Sequence, residues 1–337
     1  MSIEWRAYPV SPRPKALFAM REEHLALLFP APLLRRLDTL ADIDVTLVAE
    51  RFDDPRVDLA DTEILITGWG CPPLDEAVLA AAPRLRAVLH AAGSVKGLVA
   101  PAGWERGLLV SSAAAANAVP VAEYTVGTIL LAGKGVFALG ERYRRERGFT
   151  LAKIEPLVGN NGRRVGIVGA SQIGRRVIEL LAPYDLDLCL YDPYTRVPGV
   201  RRASLEEVLR RSDIVSLHAP ATPETRHMLD RTRLALMPDG AVLINTARGS
   251  LVDTDALVAE LKSGRLSAIL DVTDPEPLPP ASPLFDLPNV FLTPHIAGSH
   301  GNEVARMGTL VLDELERLSA GQPLAHRVTA DDLDRVA

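Results

Sequence analysis

The chain has 337 residues, 47% of them hydrophobic and 24% charged, which is enough for two ordinary globular cores. A net charge of -6 gives no electrostatic footprint for nucleic acid, and no run of about 18 apolar residues occurs, so neither nucleic acid nor a membrane is an expected partner. Cys71 and Cys189 have no metal-ligand spacing and form no disulfide framework, so no metal is expected; together with an N-terminus lacking an apolar signal segment, they fit a cytoplasmic chain.

The first third alternates strand-like apolar runs at 16–20, 45–48, 63–67, 86–90 and 107–111 with helical patterns at 31–40 and 74–82. Such alternation predicts a parallel sheet covered by helices. Val119 to Lys134 keeps helical apolar spacing with Pro120 in its first turn, and reads as a long helix leaving the first domain. A polar stretch from Val158 then opens a second series, with strands expected near 164–169, 187–191, 213–217, 241–245, 267–271 and 290–293. The last helical pattern, 302–318, buries Val304, Met307, Leu310, Val311, Leu315 and Leu318 on one face. The fold class read from this order is α/β, with two Rossmann-like, doubly wound parallel-sheet domains.

Residues 164–174 read as a strand, a tight turn and a helix start, with Gly169, Ser171 and Gly174 at the three positions where a dinucleotide fingerprint asks for glycine. Serine at the middle position adds a Cβ where a pyrophosphate would approach; its hydroxyl could donate to a phosphate oxygen or crowd it. The next strand ends at Asp192, about 20 residues on, where a carboxylate would bind the adenosine ribose hydroxyls. That carboxylate also repels a 2′-phosphate, favouring NAD over NADP, although Arg196, Arg201 and Arg202 lie close by in sequence.

Three later strings each place a reactive side chain just past an apolar run. Arg248 follows Ala241–Ile244 in Asn-Thr-Ala-Arg-Gly, Glu276 follows Ala268–Leu270 in the loop through Pro277, and His295 follows Val290–Leu292. In an open parallel sheet, ligands bind outside the carboxyl ends of the strands. An arginine can hold an anion there, and a histidine–carboxylate pair can exchange a proton near neutral pH.

These strings, with Leu-His-Ala-Pro at 217–220 and Thr222 and Thr225, resemble the D-isomer-specific 2-hydroxyacid dehydrogenases over nearly the whole chain. The resemblance implies reduction of 2-keto acids with a nicotinamide cofactor, with Arg248, Glu276 and His295 in the catalytic positions. It implies that Gly169, Ser171, Gln172, Ile173, Gly174, Asp192, His218, Pro220, Thr222, Thr246, Ala247, Asp271 and Gly298 line the cofactor. It also implies a flavodoxin-like substrate domain built from both ends, 1–118 and 302–337, around an NAD-binding domain at 119–301. Many members of the family are homodimers, which is the expectation here.

The expected substrate loop is Gly93-Ser94-Val95-Lys96. Many relatives carry an Asp-Asn pair after the glycines; here that pair is absent and a lysine appears, as in the phosphite dehydrogenase branch. Lys96 is then either a second cation beside Arg248, which implies an unusually anionic substrate, or a solvated side chain beside backbone amides that bind an ordinary 2-keto acid. The leading reading is a D-specific oxidoreductase acting between NAD(H) and a small anionic 2-keto or 2-hydroxy acid. The alternatives are oxidation of an oxyanion such as phosphite and a non-catalytic NADH-sensing scaffold.

Overall fold

A computed structural model describes residues 13–148 and 158–333. The chain divides into two compact units, at Asn117/Ala118 and again at Gly298/Ser299. The boundaries expected at 118/119 and 301/302 therefore both move toward the N-terminus. At the second crossing, the Ser299 N–H donates to Asn117 Oδ1 at 2.8 Å, fastening the returning chain to the first unit before residue 302.

In the first unit, β1 (Ala16–Ala19), β2 (Ile64–Thr67), β3 (Ala87–His90) and β4 (Leu109–Ser112) lie side by side and parallel. The two-residue strand Arg327–Val328 closes one edge antiparallel to β4, an addition the apolar runs did not foretell. β1, β2 and β3 are buried along their whole length because both faces of the sheet are covered. Phe18 packs into one core with Met307, Val311 and Leu315 of the helix Ala305–Ser319, while Leu17 and Ala19 pack into the other. The helix predicted at 31–40 is present as Ala31–Leu40.

The apolar run 45–48 does not form a strand. It meets β1 through one parallel bridge, Phe18 with Val48. Asp44 is the cause: its Oδ1 accepts from both the N–H and the hydroxyl of Thr46, at 2.9 and 2.7 Å, and curls the chain into a turn.

In the second unit, seven parallel strands stand in the order β11-β10-β9-β8-β5-β6-β7. Their ranges are β5 (Arg163–Val168), β6 (Leu186–Tyr191), β7 (Arg201–Arg202), β8 (Ile214–Leu217), β9 (Val242–Asn245), β10 (Ser267–Leu270) and β11 (Val290–Leu292). Strand order reverses at β5, which lies between β8 and β6. Successive β9 residues serve opposite faces, Leu243 in one core and Ile244 in the other. Each such fully buried aliphatic side chain stabilises the fold by about 1.5–3 kcal/mol.

The long helix spans Ala114–Gly133, five residues earlier than expected, and holds Pro120 in its interior. Alanines 113–116 explain the extension, since alanine is the best helix former and carries the helix back past the proline. By length and composition this helix could cross a membrane. Here Ala122 and Ile129 are fully buried in the core with Val165 and Ile167 of β5.

Candidate active site

The turn after β5 requires its two outer glycines. Gly169 has φ +101°, and a Cβ there would lie 2.7 Å from the Ala219 nitrogen and 2.8 Å from the His218 carbonyl carbon. A Cβ on Gly174 would lie 2.1 Å from the Gly169 carbonyl oxygen. The middle position, Ser171, has φ -61° and ψ 179°, a conformation any residue adopts. Its hydroxyl oxygen accepts from the Gly174 N–H at 3.3 Å, capping the helix Gln172–Leu181. The cap leaves the Gln172 and Ile173 N–H groups without intrahelical partners at the positive end of the helix dipole. A serine at the glycine position is thus accommodated by capping.

Asp192 is buried and organises the adjoining loops. One carboxylate oxygen accepts from the Ala170 N–H at 2.6 Å; the other accepts from Tyr194 and Thr195 N–H, at 2.8 and 2.6 Å. Arg202 donates to the Asp192 and Pro193 carbonyls, which ties it to the backbone. After β8, His218 is buried with Nε2 2.9 Å from the Ser216 hydroxyl, and burial pushes its pKa down to about 3. Its Nδ1 is also buried and has no hydrogen-bond partner among the described residues. Beyond it, Thr225 Oγ1 donates to the Pro220 carbonyl at 2.6 Å and accepts from the Thr222 N–H at 2.8 Å, closing the turn 220–225.

Arg248 follows β9 in a turn clamped by Asn245, whose Oδ1 accepts from the Ala247 N–H at 3.1 Å and whose Nδ2 donates to the Arg248 carbonyl at 2.9 Å. Burial lowers the guanidinium pKa, and the negative charge of Glu276 opposes that shift. Gly249 allows the next loop to approach: a Cβ there would lie 2.0 Å from the Thr273 carbonyl group. The Glu276 loop is held from below, with the Thr254 hydroxyl donating to the Asp274 carbonyl at 2.7 Å.

His295 sits in the left-handed region at φ +56°, a conformation its surroundings must enforce. Asp271, buried at the end of β10, supplies that enforcement. Its carboxylate accepts from the Thr293 hydroxyl at 2.6 Å and from the Ile296 and Ala297 N–H groups at 2.8 and 2.9 Å. The His295 N–H donates to the Asp271 carbonyl at 3.0 Å. So held, His295 Nδ1 lies 2.7 Å from Glu276 Oε1, leaving Nε2 as the nitrogen free to meet a substrate. Arg248, Glu276 and His295 therefore stand together in one unit, offering an anion-binding fork beside a proton-exchanging pair.

Sequence reasoning missed Tyr124, Thr125, Asn245 and the anchoring role of Thr293. The signal available was the polar run Glu123-Tyr124-Thr125, with Thr128 one turn on, inside a mainly apolar helix. Asp271, expected only as a cofactor neighbour, also anchors the His295 loop.

The Gly93–Lys96 loop belongs to the first unit. Ala91 N–H donates to the Thr67 carbonyl at 2.7 Å and Lys96 N–H reaches Ser94 Oγ at 3.3 Å. Among the described residues, the N–H groups of Gly93, Ser94 and Val95 donate to nothing. Consecutive free amides of this kind suit an anion. Lys96 is exposed and forms no ion pair among the described residues.

Residues 126–297, half of the chain, match the family "D-isomer specific 2-hydroxyacid dehydrogenase, NAD binding domain". A glyoxylate reductase of Thermofilum pendens is 34% identical over 258 residues, covering 74% of this chain and 76% of that one. The chain belongs to the D-isomer-specific 2-hydroxyacid dehydrogenases. A D-3-phosphoglycerate dehydrogenase of Methanocaldococcus jannaschii is 30% identical over 278 residues, covering 78% of this chain and 51% of that one, so this chain spans about half the length of that relative. The crystal structure of a phosphoglycerate oxidoreductase from Rhizobium etli aligns with TM-score 0.80 and 26% identity, covering 95% of this chain and 99% of that one. As a 2-hydroxyacid dehydrogenase, the protein is an NAD(H)-dependent oxidoreductase that moves a hydride between the cofactor and a 2-keto or 2-hydroxy acid.

The residues present fit that cofactor. Gly169 and Gly174 leave a cradle that any Cβ would fill, the helix offers free N–H groups to a pyrophosphate, and the buried Nδ1 of His218 beside the turn lacks a partner among the described residues.

Proposed function

We propose that Arg248, Glu276 and His295 are the catalytic residues, and that the protein reduces a small anionic 2-keto acid with NADH. The observation that carries this reading is the 2.7 Å His295–Glu276 pair on a loop locked by Asp271, in reach of the charge of Arg248. The cofactor, when bound, supplies the hydride to the keto carbon or accepts it back from the alcohol. Arg248 would hold the substrate carboxylate and polarise the keto oxygen with its planar fork of donors. His295 would pass a proton from Nε2 to that oxygen, and Glu276 would keep the imidazole oriented and stabilise its cation. In oxidation the same nitrogen takes the proton back.

Around these residues, Gly169, Ser171, Gln172, Ile173 and Gly174 would cradle the pyrophosphate, with Asp192 at the ribose. His218, Pro220, Thr222, Thr246, Ala247, Asp271 and Gly298 would line the remainder. The free amides of Gly93, Ser94 and Val95 support a role for that loop in holding the substrate carboxylate. Lys96, exposed and without an ion pair among the described residues, is available for a second and finer reading, in which the substrate carries an extra negative charge or is an inorganic oxyanion such as phosphite. Val136, Phe285 and Phe291 are exposed large apolar side chains around one cavity of the second unit, which supports a homodimer. Two free cysteines support a reducing cytoplasm.

The test follows NADH absorbance with glyoxylate, pyruvate, hydroxypyruvate, bulky 2-keto acids and phosphonopyruvate, and NAD reduction with phosphite. Turnover of at least one keto acid is expected. Tight NADH binding with no turnover of any of them would replace this reading with a sensing scaffold.

A further inference from the structure

Two adjacent side chains of one helix reach both loops that carry the proposed catalytic groups. On Ala114–Gly133, the Tyr124 hydroxyl lies 2.8 Å from Thr293 Oγ1, and Thr125 Oγ1 lies 3.0 Å from Thr246 Oγ1. The direction of the first bond follows from its neighbour. Thr293 spends its single proton on Asp271 Oδ1 at 2.6 Å, so the Tyr124 O–H must be the donor. Asp271 then accepts the Ile296 and Ala297 N–H groups, the two residues that follow His295. On the other side, Thr246 stands two residues before Arg248 in the turn clamped by Asn245. Thr128 closes the arrangement one turn along, its hydroxyl within 2.9 Å of the Tyr124 carbonyl and 2.8 Å of the Thr125 carbonyl. Thr125, Thr128 and Thr246 are all buried.

We propose that Tyr124 and Thr125 are positioning residues that hold the His295 loop and the Arg248 loop in register with each other. The proposal rests on the assignment of Arg248 and His295 as catalytic. Consecutive helical residues have a fixed spacing, so one helix turn sets the separation of two loops that arise from different strands. Productive proton and hydride transfer tolerates little error in that separation, because a displacement of about 1 Å can cost about 10²-fold in rate. The two bonds serve different partners and should fail differently. Tyr124 acts on the proton donor through Thr293 and Asp271, and Thr125 acts on the anion fork through Thr246.

Tyr124→Phe and Thr125→Val, made separately in the full chain, test this with kcat and substrate KM, NADH affinity by fluorescence, and melting temperature. Tyr124→Phe should lower kcat about tenfold with little change in substrate KM, and Thr125→Val should raise substrate KM about tenfold. Tyr124→Phe should bind NADH as the parent does, and Thr125→Ser, which keeps the hydroxyl, should stay close to the parent. If Thr125→Val does not fold, Thr125→Ala carries the same expectation. Parent kinetics in both variants would overturn the proposal; so would losses in kcat, KM and NADH affinity that move together with a lowered melting temperature. His295→Gln separates the two levels. If it is inactive while Tyr124→Phe and Thr125→Val behave as the parent, only the proposal fails; if it turns over normally, the catalytic assignment fails and the proposal falls with it.

Discussion

The loop after β3 in the first unit and the loops after β9, β10 and β11 in the second occupy equivalent ends of their sheets, yet they are held very differently. The second unit locks its loops with side chains that bond backbone: Asn245 under Arg248, Asp271 under His295, Thr254 under the Glu276 loop. The Gly93–Lys96 loop has far less. Its N–H groups at Gly93, Ser94 and Val95 are unsatisfied among the described residues, and the bond from Lys96 N–H to Ser94 Oγ is long. The difference fits a division of labour in which reaction chemistry needs fixed geometry, while substrate choice needs free donors.

Glycine substitutions break this comparison most sharply. A Cβ at Gly249 would sit 2.0 Å from the Thr273 carbonyl and 2.5 Å from the Asp274 nitrogen, all backbone that cannot rotate away. Gly249→Ala should push the Arg248 and Glu276 loops apart, lowering kcat/KM on the order of 10²-fold and costing about 1–3 kcal/mol of stability. Gly97 also has positive φ, at +76°, but nothing among the described residues lies within 4 Å of its added Cβ. Gly97→Ala should cost only about 1–2 kcal/mol of backbone strain and leave kcat nearly unchanged. Steady-state kinetics and melting curves measure both, and equal kinetic damage at the two sites would remove the contrast.

A second comparison concerns two buried histidines, one per unit. His90 ends β3 with Nδ1 2.8 Å from the Thr67 hydroxyl, and burial pushes its pKa down to about 4. His218 follows β8, with its pKa pushed down to about 3. Both folded values lie below the unfolded value of about 6.5, so the unfolded chain takes up protons that the native chain refuses. Neither histidine affects stability above about pH 6.5, and stability is lost as pH falls below it. By pH 5 each should have cost roughly 2 kcal/mol. Denaturant titrations at pH 7.5 and 5.0 measure the loss, and His90→Gln should recover the share belonging to the first unit. A stability independent of pH over this interval would show that neither ring is held neutral.

The strand ends were legible because burial on both faces leaves long apolar runs, and the chemistry-bearing residues stand just beyond them. β9 and β10 begin and end within a residue of the expected positions for that reason. What stayed hidden was decided by side-chain bonds between distant residues. The Thr46 turn at Asp44 overrides an apolar run, and no local pattern joins Tyr124 to Thr293 or Thr125 to Thr246. Ser171 is the instructive intermediate: the substitution at a glycine position is plain in the sequence, but its capping bond to Gly174 is visible only in the fold.

Lys96 gives the smallest effect, and it bears most directly on the sparsely held loop. It is exposed and without an ion pair among the described residues, so removing it should neither unfold the first unit nor disturb the His295–Glu276 pair. If the lysine supplies a second cation, Lys96→Ala should raise KM about tenfold for a dianionic acid such as phosphonopyruvate, equivalent to about 1.4 kcal/mol, with kcat held. A monoanionic acid such as pyruvate should be affected several-fold less, because the backbone amides of Gly93, Ser94 and Val95 remain. Raising the salt concentration should shrink the gap between the two acids in the parent and leave it small in the variant, since an exposed charge is screened over about 10 Å at 0.1 M. If KM is unchanged for every acid that turns over, the amides alone bind the substrate and Lys96 is a solvated side chain.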